Sequence, residues 1–100
     1  MYLKMKVIST TIRPSKEVEF YLDIDLINHI FDNYLYNHKI ETPETILSND
    51  QLTKITSIVF NERKYFFEFL HDQTVVSGLQ KRDEYNKTHG ITYSVEKFDE

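Results

Sequence analysis

Hydrophobic spacing along this chain alternates between the period of a strand and the period of a helix, and this restricts the folds open to it. Residues 5–12 (MKVISTTI) contain the β-branched side chains that favour strands, and Pro14 ends the run because proline cannot donate to a β-ladder. From Asp25 to His38 the apolar residues recur every three or four positions, and Asp23 or Asp25 can cap the start. We therefore expect a strand followed by a helix.

The middle of the chain predicts a hairpin. Residues 44–60 (ETILSNDQLTKITSIVF) contain a short strand, a polar turn at residues 48–51 and a longer strand from Leu52 to Phe60. Two antiparallel strands joined by a tight turn are the simplest structure for this pattern.

The remainder of the chain predicts a helix in two pieces and then a strand. Asn61 is expected to cap a helix that begins immediately after it, and a break is expected near Asp72, which can cap the second piece. Gly78 lies inside this second piece, where glycine lowers helix stability by about 0.5–1 kcal/mol relative to alanine. We therefore expect a close backbone contact there that compensates for this loss. Gly90 can end the helix in the left-handed conformation, and residues 91–98 (ITYSVEKF) alternate as a last strand.

The predicted order, β-α-β-β-α-β, is that of the ferredoxin-like class. This is an α+β fold in which a four-stranded antiparallel sheet carries two helices on one face. A chain of 100 residues, 40% of them hydrophobic, is enough for one core, so we expect residues 1–100 to form a single domain. Residues 16–24 alternate only weakly, and either an extra edge strand or a plain connection fits them.

The strand at residues 52–60 has apolar side chains on both of its faces. One face carries Leu52, Lys54, Thr56, Ile58 and Phe60, and the other carries Thr53, Ile55, Ser57 and Val59. Helices on one side of the sheet leave the other side uncovered, and an exposed apolar area of that size is typical of an interface. We therefore expect Ile55 and Val59 to lie in an interface between copies of this chain, in a homodimer or a higher oligomer.

Composition excludes several classes of function. The net charge of −4, without a basic cluster, gives nucleic acid nothing to bind, so we expect no nucleic-acid partner. The absence of cysteine excludes disulfides and thiolate chemistry. No apolar run approaches the roughly 18 residues of a membrane span, so we expect no membrane partner and a cytoplasmic location, or the virion if the chain is viral.

The four histidines invite a search for a metal site. His29, His38, His71 and His89 do not have the four-residue spacing of a helical ligand pair, so we expect no metal. His71 precedes Asp72, and two interpretations fit the pair: an imidazole oriented by a carboxylate to act as a general base, or a surface histidine beside a capping aspartate. The second is the commoner arrangement.

An aromatic cluster follows the predicted hairpin. Phe66 and Phe69 share one face of the predicted helix and are expected in the core, with Tyr65 and Phe67 flanking them. Phe67 lies toward the less apolar side and is the member most suited to contact a ligand. Ser57 places a small hydroxyl on a sheet face, where it either lines a cavity or fills an interface.

The segment Thr53 to Glu96, TKITSIVFNERKYFFEFLHDQTVVSGLQKRDEYNKTHGITYSVE, resembles the second half of antibiotic-biosynthesis-monooxygenase-like proteins of the dimeric α/β-barrel superfamily. The shared pattern is a strand, a polar turn, an aromatic helix, a break before a VV pair, a second helix and a closing strand. The resemblance implies a barrel-like dimer with a cavity between sheet and helices. Haem-degrading members have a histidine after the break and a pocket tryptophan; this chain has VVSGL and no tryptophan, so no cofactor is expected.

Two functions therefore compete. The first is a non-catalytic, self-associating domain, a structural or accessory subunit of a larger assembly with other protein partners, and a viral assembly is one form that this takes. The second, which rests on the resemblance, is a cofactor-independent monooxygenase or isomerase acting on a small aromatic or polyketide-like compound. Its candidate catalytic residues are His71, Asp72 and Tyr65, and its candidate ligand-binding residues are Phe67 and Ser57.

Overall fold

The computed structural model describes residues 3–99. Its four strands form one antiparallel sheet in the order β2-β3-β1-β4: β1 Met5–Ile12, β2 Glu44–Leu47, β3 Thr53–Phe60 and β4 Thr92–Asp99. The helices are α1 Ile24–Ile30, which continues as a π-helical segment at Phe31–Leu35, then α2 Arg63–His71 and α3 Gln73–His89. The chain has the ferredoxin-like α+β fold predicted from its sequence, with the second helix divided into α2 and α3.

The register of β1 and β3 separates the residues of the two sheet faces. Met5 pairs with Phe60 and Val7 with Ile58, and these four side chains face the helices. The alternate residues point the other way, since successive side chains of a strand face opposite sides. Helices therefore cover one face only, and the other is called the open face below. Its large apolar side chains are Ile8, Ile12, Ile46, Ile55, Val59 and Phe98.

Aromatic side chains fill the core between sheet and helices. The ring of Phe60 lies 5.4 Å from that of Phe66 and 5.3 Å from that of Phe69, centroid to centroid, both edge to face. Tyr34 meets Phe69 in the same way at 5.3 Å. This geometry is the favoured one for aromatic pairs. The expected core role of the aromatic cluster is confirmed, and Phe67, 48% exposed, lies outside it.

The first helix begins and ends for different reasons. Asp23 caps it, because its side chain accepts a hydrogen bond from the backbone N–H of Leu26 at 3.0 Å. The π-helical segment then carries the helix on to Leu35, and His38 reverses the chain with a positive φ of 59°. Residues 16–23 form no strand. This answers the question left open by the sequence: that stretch is a connection.

The second helix differs from expectation at its start. Asn61 does not cap α2; its side chain instead donates to the backbone carbonyl of His38 at 2.7 Å, which ties the helix start to the end of the π-helical segment. The other predictions hold. Asp72 ends α2 and caps α3 by accepting from the backbone N–H of Thr74, and Gly90 ends α3 with a φ of 69°.

Gly78 makes the close contact expected of a glycine inside a helix. A β-carbon at this position would lie 2.7 Å from Cδ2 of Leu26, which is closer than real contacts allow. The missing side chain lets α3 approach α1, so the cost of glycine in the helix is compensated by packing. None of the helices within residues 3–99 combines the length and apolarity needed to cross a membrane.

Candidate functional site

A cavity lies between the sheet and the helices, and it has two adjoining lobes. The first, about 370 Å³, lies between α1 and the strands β2 and β3. The second, about 280 Å³, extends toward α2, α3 and β4. The lobes share Ile30, Thr56, Ile58 and Arg82 as lining residues. We call the two lobes together the helix-side cavity.

Small residues at the centre of the sheet leave room for this cavity. Ser9 and Thr56 are directly opposite each other on β1 and β3, and the Ser9 hydroxyl donates to the Thr56 carbonyl at 3.4 Å. At the other end of the same face, Met5 and Phe60 are buried and fill the space. This face of the sheet is therefore tightly packed at the Met5–Phe60 end, and a cavity remains over its centre.

Most of the first lobe has apolar walls. They are formed by Leu26, Ile27, Ile30, Phe31, Pro43 and Ile58. The polar side chains that reach the lobe are Tyr21, Asp23, Thr45, Lys54, Thr56 and Arg82. An apolar chamber with a few polar groups is typical of small-molecule sites.

Lys54 differs from the other charged residues of the first lobe because it has no charged partner among residues 3–99. Its Nζ lies 4.7 Å from the ring centroid of Phe20, and no carboxylate of residues 3–99 forms an ion pair with it. Burial lowers the pKa of Lys54, and the nearby charge of Arg13 lowers it further. The position of Lys54 could have been read from the sequence, because it alternates with Thr56 and Ile58 on the face of β3 that turns toward the helices.

The two other charged groups of the lobe are already engaged. Arg82 donates to a carboxylate oxygen of Asp83 from Nη2 at 2.8 Å and from Nε at 3.2 Å, and its guanidinium stacks 3.8 Å from the centroid of Tyr93. Asp23 caps α1 and also accepts a hydrogen bond from the Tyr21 hydroxyl at 3.1 Å. Burial, and then this hydrogen bond with Asp23, raise the pKa of Tyr21.

The residues that the sequence suggested for catalysis lie elsewhere. His71 is exposed, and its Nδ1 lies 2.7 Å from the backbone oxygen of Phe67 in its own helix, so the imidazole is not oriented by Asp72. The pair is the surface histidine beside a capping aspartate. Tyr65 packs against the core and lies under Lys39, with 5.6 Å from Nζ to the ring centroid. None of these residues lines the helix-side cavity.

The predicted ligand-binding residues, Phe67 and Ser57, also lie outside the helix-side cavity. Phe67 lies on the exposed side of α2 beside Arg63 and Asp99. Ser57 lies on the open face, opposite Ile8 of β1. The structure does not bring these two side chains together, and their roles in binding stay predictions.

Asp72 is the centre of a hydrogen-bond network that the sequence did not predict. One of its carboxylate oxygens accepts from the Tyr34 hydroxyl at 2.9 Å and lies 2.7 Å from Nε2 of His29. The other oxygen caps α3 through the N–H groups of Thr74 and Val75. Three helical elements therefore meet at one carboxylate. His29 and Tyr34 are separated from it by 43 and 38 positions, which no local pattern can reveal.

The network changes the acidity of Asp72 and Tyr34. Burial on its own would raise the pKa of Asp72, but hydrogen bonds from His29, Tyr34 and the Val75 N–H outweigh it and hold the pKa below its usual value. Burial raises the pKa of Tyr34, and the bond to Asp72 raises it further, so the phenol stays protonated. Within residues 3–99 no three side chains of histidine, aspartate or glutamate converge as metal ligands would.

The fold is similar to that of solved structures, although the sequence identity to them is low. The sequence matches no known protein family and no curated protein. A conserved protein of unknown function from Bacteroides thetaiotaomicron VPI-5482, described as a possible oxidoreductase, is 8% identical with a TM-score of 0.64, over 99% of this chain and 98% of that one. A dimeric ferredoxin-like protein from an uncultured marine organism is 10% identical with a TM-score of 0.56, over 98% and 95%. These likenesses establish the ferredoxin-like fold.

Replacing Asp72 with asparagine tests the network. Because the pKa of Asp72 is lower in the folded protein than its unfolded value near 3.9, its charge stabilises the fold above that pH and ceases to do so as pH falls through the folded pKa. We expect Asp72→Asn to lower the free energy of unfolding at pH 7 by about 1–2 kcal/mol. The difference from the wild type should shrink below about pH 4, as measured by urea unfolding.

His71→Ala is the matched control, since the neighbouring side chain is exposed and bonds only within its own helix. Its effect on the free energy of unfolding should stay within about 0.5 kcal/mol. An Asp72→Asn deficit that is the same at pH 7 and pH 3 would show that the carboxylate charge plays no part in the network.

Proposed function

We propose that this protein is a self-associating domain whose copies pack against each other through the open face of the sheet. The observation that carries the proposal is the exposure of large apolar side chains on that face. Ile46 is 65% exposed, Ile12 44%, Phe98 43% and Ile55 37%. These residues come from all four strands, so the apolar area extends across the sheet and is not a set of isolated side chains.

A second copy of the same face is the partner that best fits this surface. Two sheets pack about 10 Å apart with interdigitating side chains, and a two-fold axis lets one surface complement itself. The short side chains of Thr10 and Ser57 lie between the larger apolar ones and give them space to interdigitate. The marine ferredoxin-like neighbour, described as dimeric, supports the same arrangement.

Self-association in this form would make a barrel-like dimer. It agrees with the resemblance of Thr53 to Glu96 to the antibiotic-biosynthesis-monooxygenase-like proteins of the dimeric α/β-barrel superfamily, to which we propose the chain belongs. In this proposal the function of the fold is to form the interface. The protein then serves as a structural or accessory subunit, and it belongs to a larger assembly if other proteins bind it.

Catalysis on a small molecule is the second candidate function. The helix-side cavity favours it, since about 370 Å³ in the first lobe lies within the usual range of ligand sites. The Bacteroides neighbour described as a possible oxidoreductase is a further, fold-level support. A cofactor-independent monooxygenase or isomerase would act on a compound held in this cavity, away from His71, Asp72 and Tyr65.

Native mass spectrometry of the protein purified from its source separates the candidates. A retained small molecule of defined mass is the result expected if the protein acts on such a compound. A ligand-free oligomer is the result expected of a purely self-associating subunit.

Ile55→Asp tests the interface. Ile55 lies on the central strand β3, opposite Thr10, and a carboxylate there would be buried without a partner in the dimer. We expect the substitution to weaken dimerisation at least about 100-fold, measured by sedimentation equilibrium.

Leu22→Asp is the matched control, because Leu22 is 68% exposed and lies in the connection before α1, outside the sheet. It should dimerise like the wild type. A wild-type protein that sediments as a monomer, or an Ile55→Asp variant that dimerises as strongly as the wild type, would contradict the proposed interface.

A further inference from the structure

We propose that the helix-side cavity binds a small apolar carboxylate, and that Lys54 holds its anionic group. This goes beyond self-association, since the cavity and the open face are on opposite sides of the sheet. It concerns the same cavity as the second candidate function but requires no reaction there.

The first reason is the uncompensated charge of Lys54. Its ammonium group and the guanidinium of Arg13 lie on the ring of Phe20, at 4.7 Å and 4.4 Å from the centroid. Arg13 donates its hydrogen bonds to the backbone oxygens of Gln51, Lys16 and Val18, so neither cation has a carboxylate partner among residues 3–99. Two cations on one ring repel each other, and an anion beside Lys54 would relieve that repulsion.

The second reason is that no other charge in the first lobe is free to select a ligand. Arg82 is neutralised by Asp83, and Asp23 is occupied by the Tyr21 hydroxyl and the Leu26 N–H. Lys54 is therefore the group that decides the charge of the occupant. Its side chain is partly buried, and electrostatic attraction is stronger there than at the surface.

The third reason concerns the rest of the ligand. The apolar walls of the first lobe suit a compact hydrocarbon or aromatic body and give it no second charge to pair with. Thr45 and Thr56 also line the lobe, and their hydroxyl oxygens lie 3.3 Å apart. One of these hydroxyls donates to the other, and the accepting hydroxyl keeps its own proton to donate to an oxygen of a carboxylate bound at Lys54. One anionic group on one apolar body is the chemistry that this arrangement selects.

Isothermal titration with a matched pair of probes tests the inference. The probes are 2-naphthoate and its neutral analogue 2-naphthamide, which differ in charge but hardly in shape. We expect the wild type to bind naphthoate about tenfold or more tightly than naphthamide. Lys54→Met keeps an unbranched apolar side chain one atom shorter and removes the charge, so it should abolish this preference while naphthamide binding stays within about twofold.

Lys64→Met is the matched control, because Lys64 is exposed on α2 and does not line the cavity. It should keep the wild-type preference. If Lys54→Met does not fold, the wild type still decides the matter: amide chemical shifts should change at Thr56 and Ile58 on addition of naphthoate.

Absence of naphthoate binding, equal affinity for both probes, or shift changes confined to residues outside the cavity would each overturn the inference. The comparison of two probes on one protein does not depend on whether that protein is a dimer, so failure here and failure of the proposed self-association are separate results.

Discussion

The structure depends on one constraint: the central strands β1 and β3 carry apolar side chains on both of their faces. On one face, Met5 and Phe60 pair in register and gather α2 and the π-helical segment around an aromatic core. On the other, Ile8 and Ile55 have no helix above them. Burial of apolar area is the main driving force of folding and association, and residues 3–99 of one chain cover only one of these two faces.

A single carboxylate, that of Asp72, links the helical elements that form this one cover. Asp72 fixes the break between α2 and α3 and binds Tyr34 and His29 from the first helical region. Burial of Tyr34 makes that hydrogen bond hard to replace, since a lost partner would leave a buried hydroxyl unsatisfied. The helices therefore stay in place over the centre of the sheet. The side chains of Ser9 and Thr56 there are too small to fill the helix-side cavity.

Local signals made most of the fold predictable. The bounds of β1, the hairpin, the cap at Asp72 and the left-handed Gly90 all rest on residues close together in sequence. The failures are long-range. Asn61 bonds to the carbonyl of His38, 23 positions away, instead of capping its own helix. The same limit applies to the site, because Lys54 contacts Phe20 and shares a lobe with Arg82, and both of these residues are far from it in sequence.

We propose a ligand on one side of the sheet and a second copy of the chain on the other. The second copy is the central claim, and an isotope-filtered nuclear Overhauser experiment on mixed labelled and unlabelled chains tests it most directly. We expect contacts between chains from the methyl groups of Ile8, Ile46 and Ile55. A spectrum without such contacts, or with contacts only from residues of the helices, would contradict it.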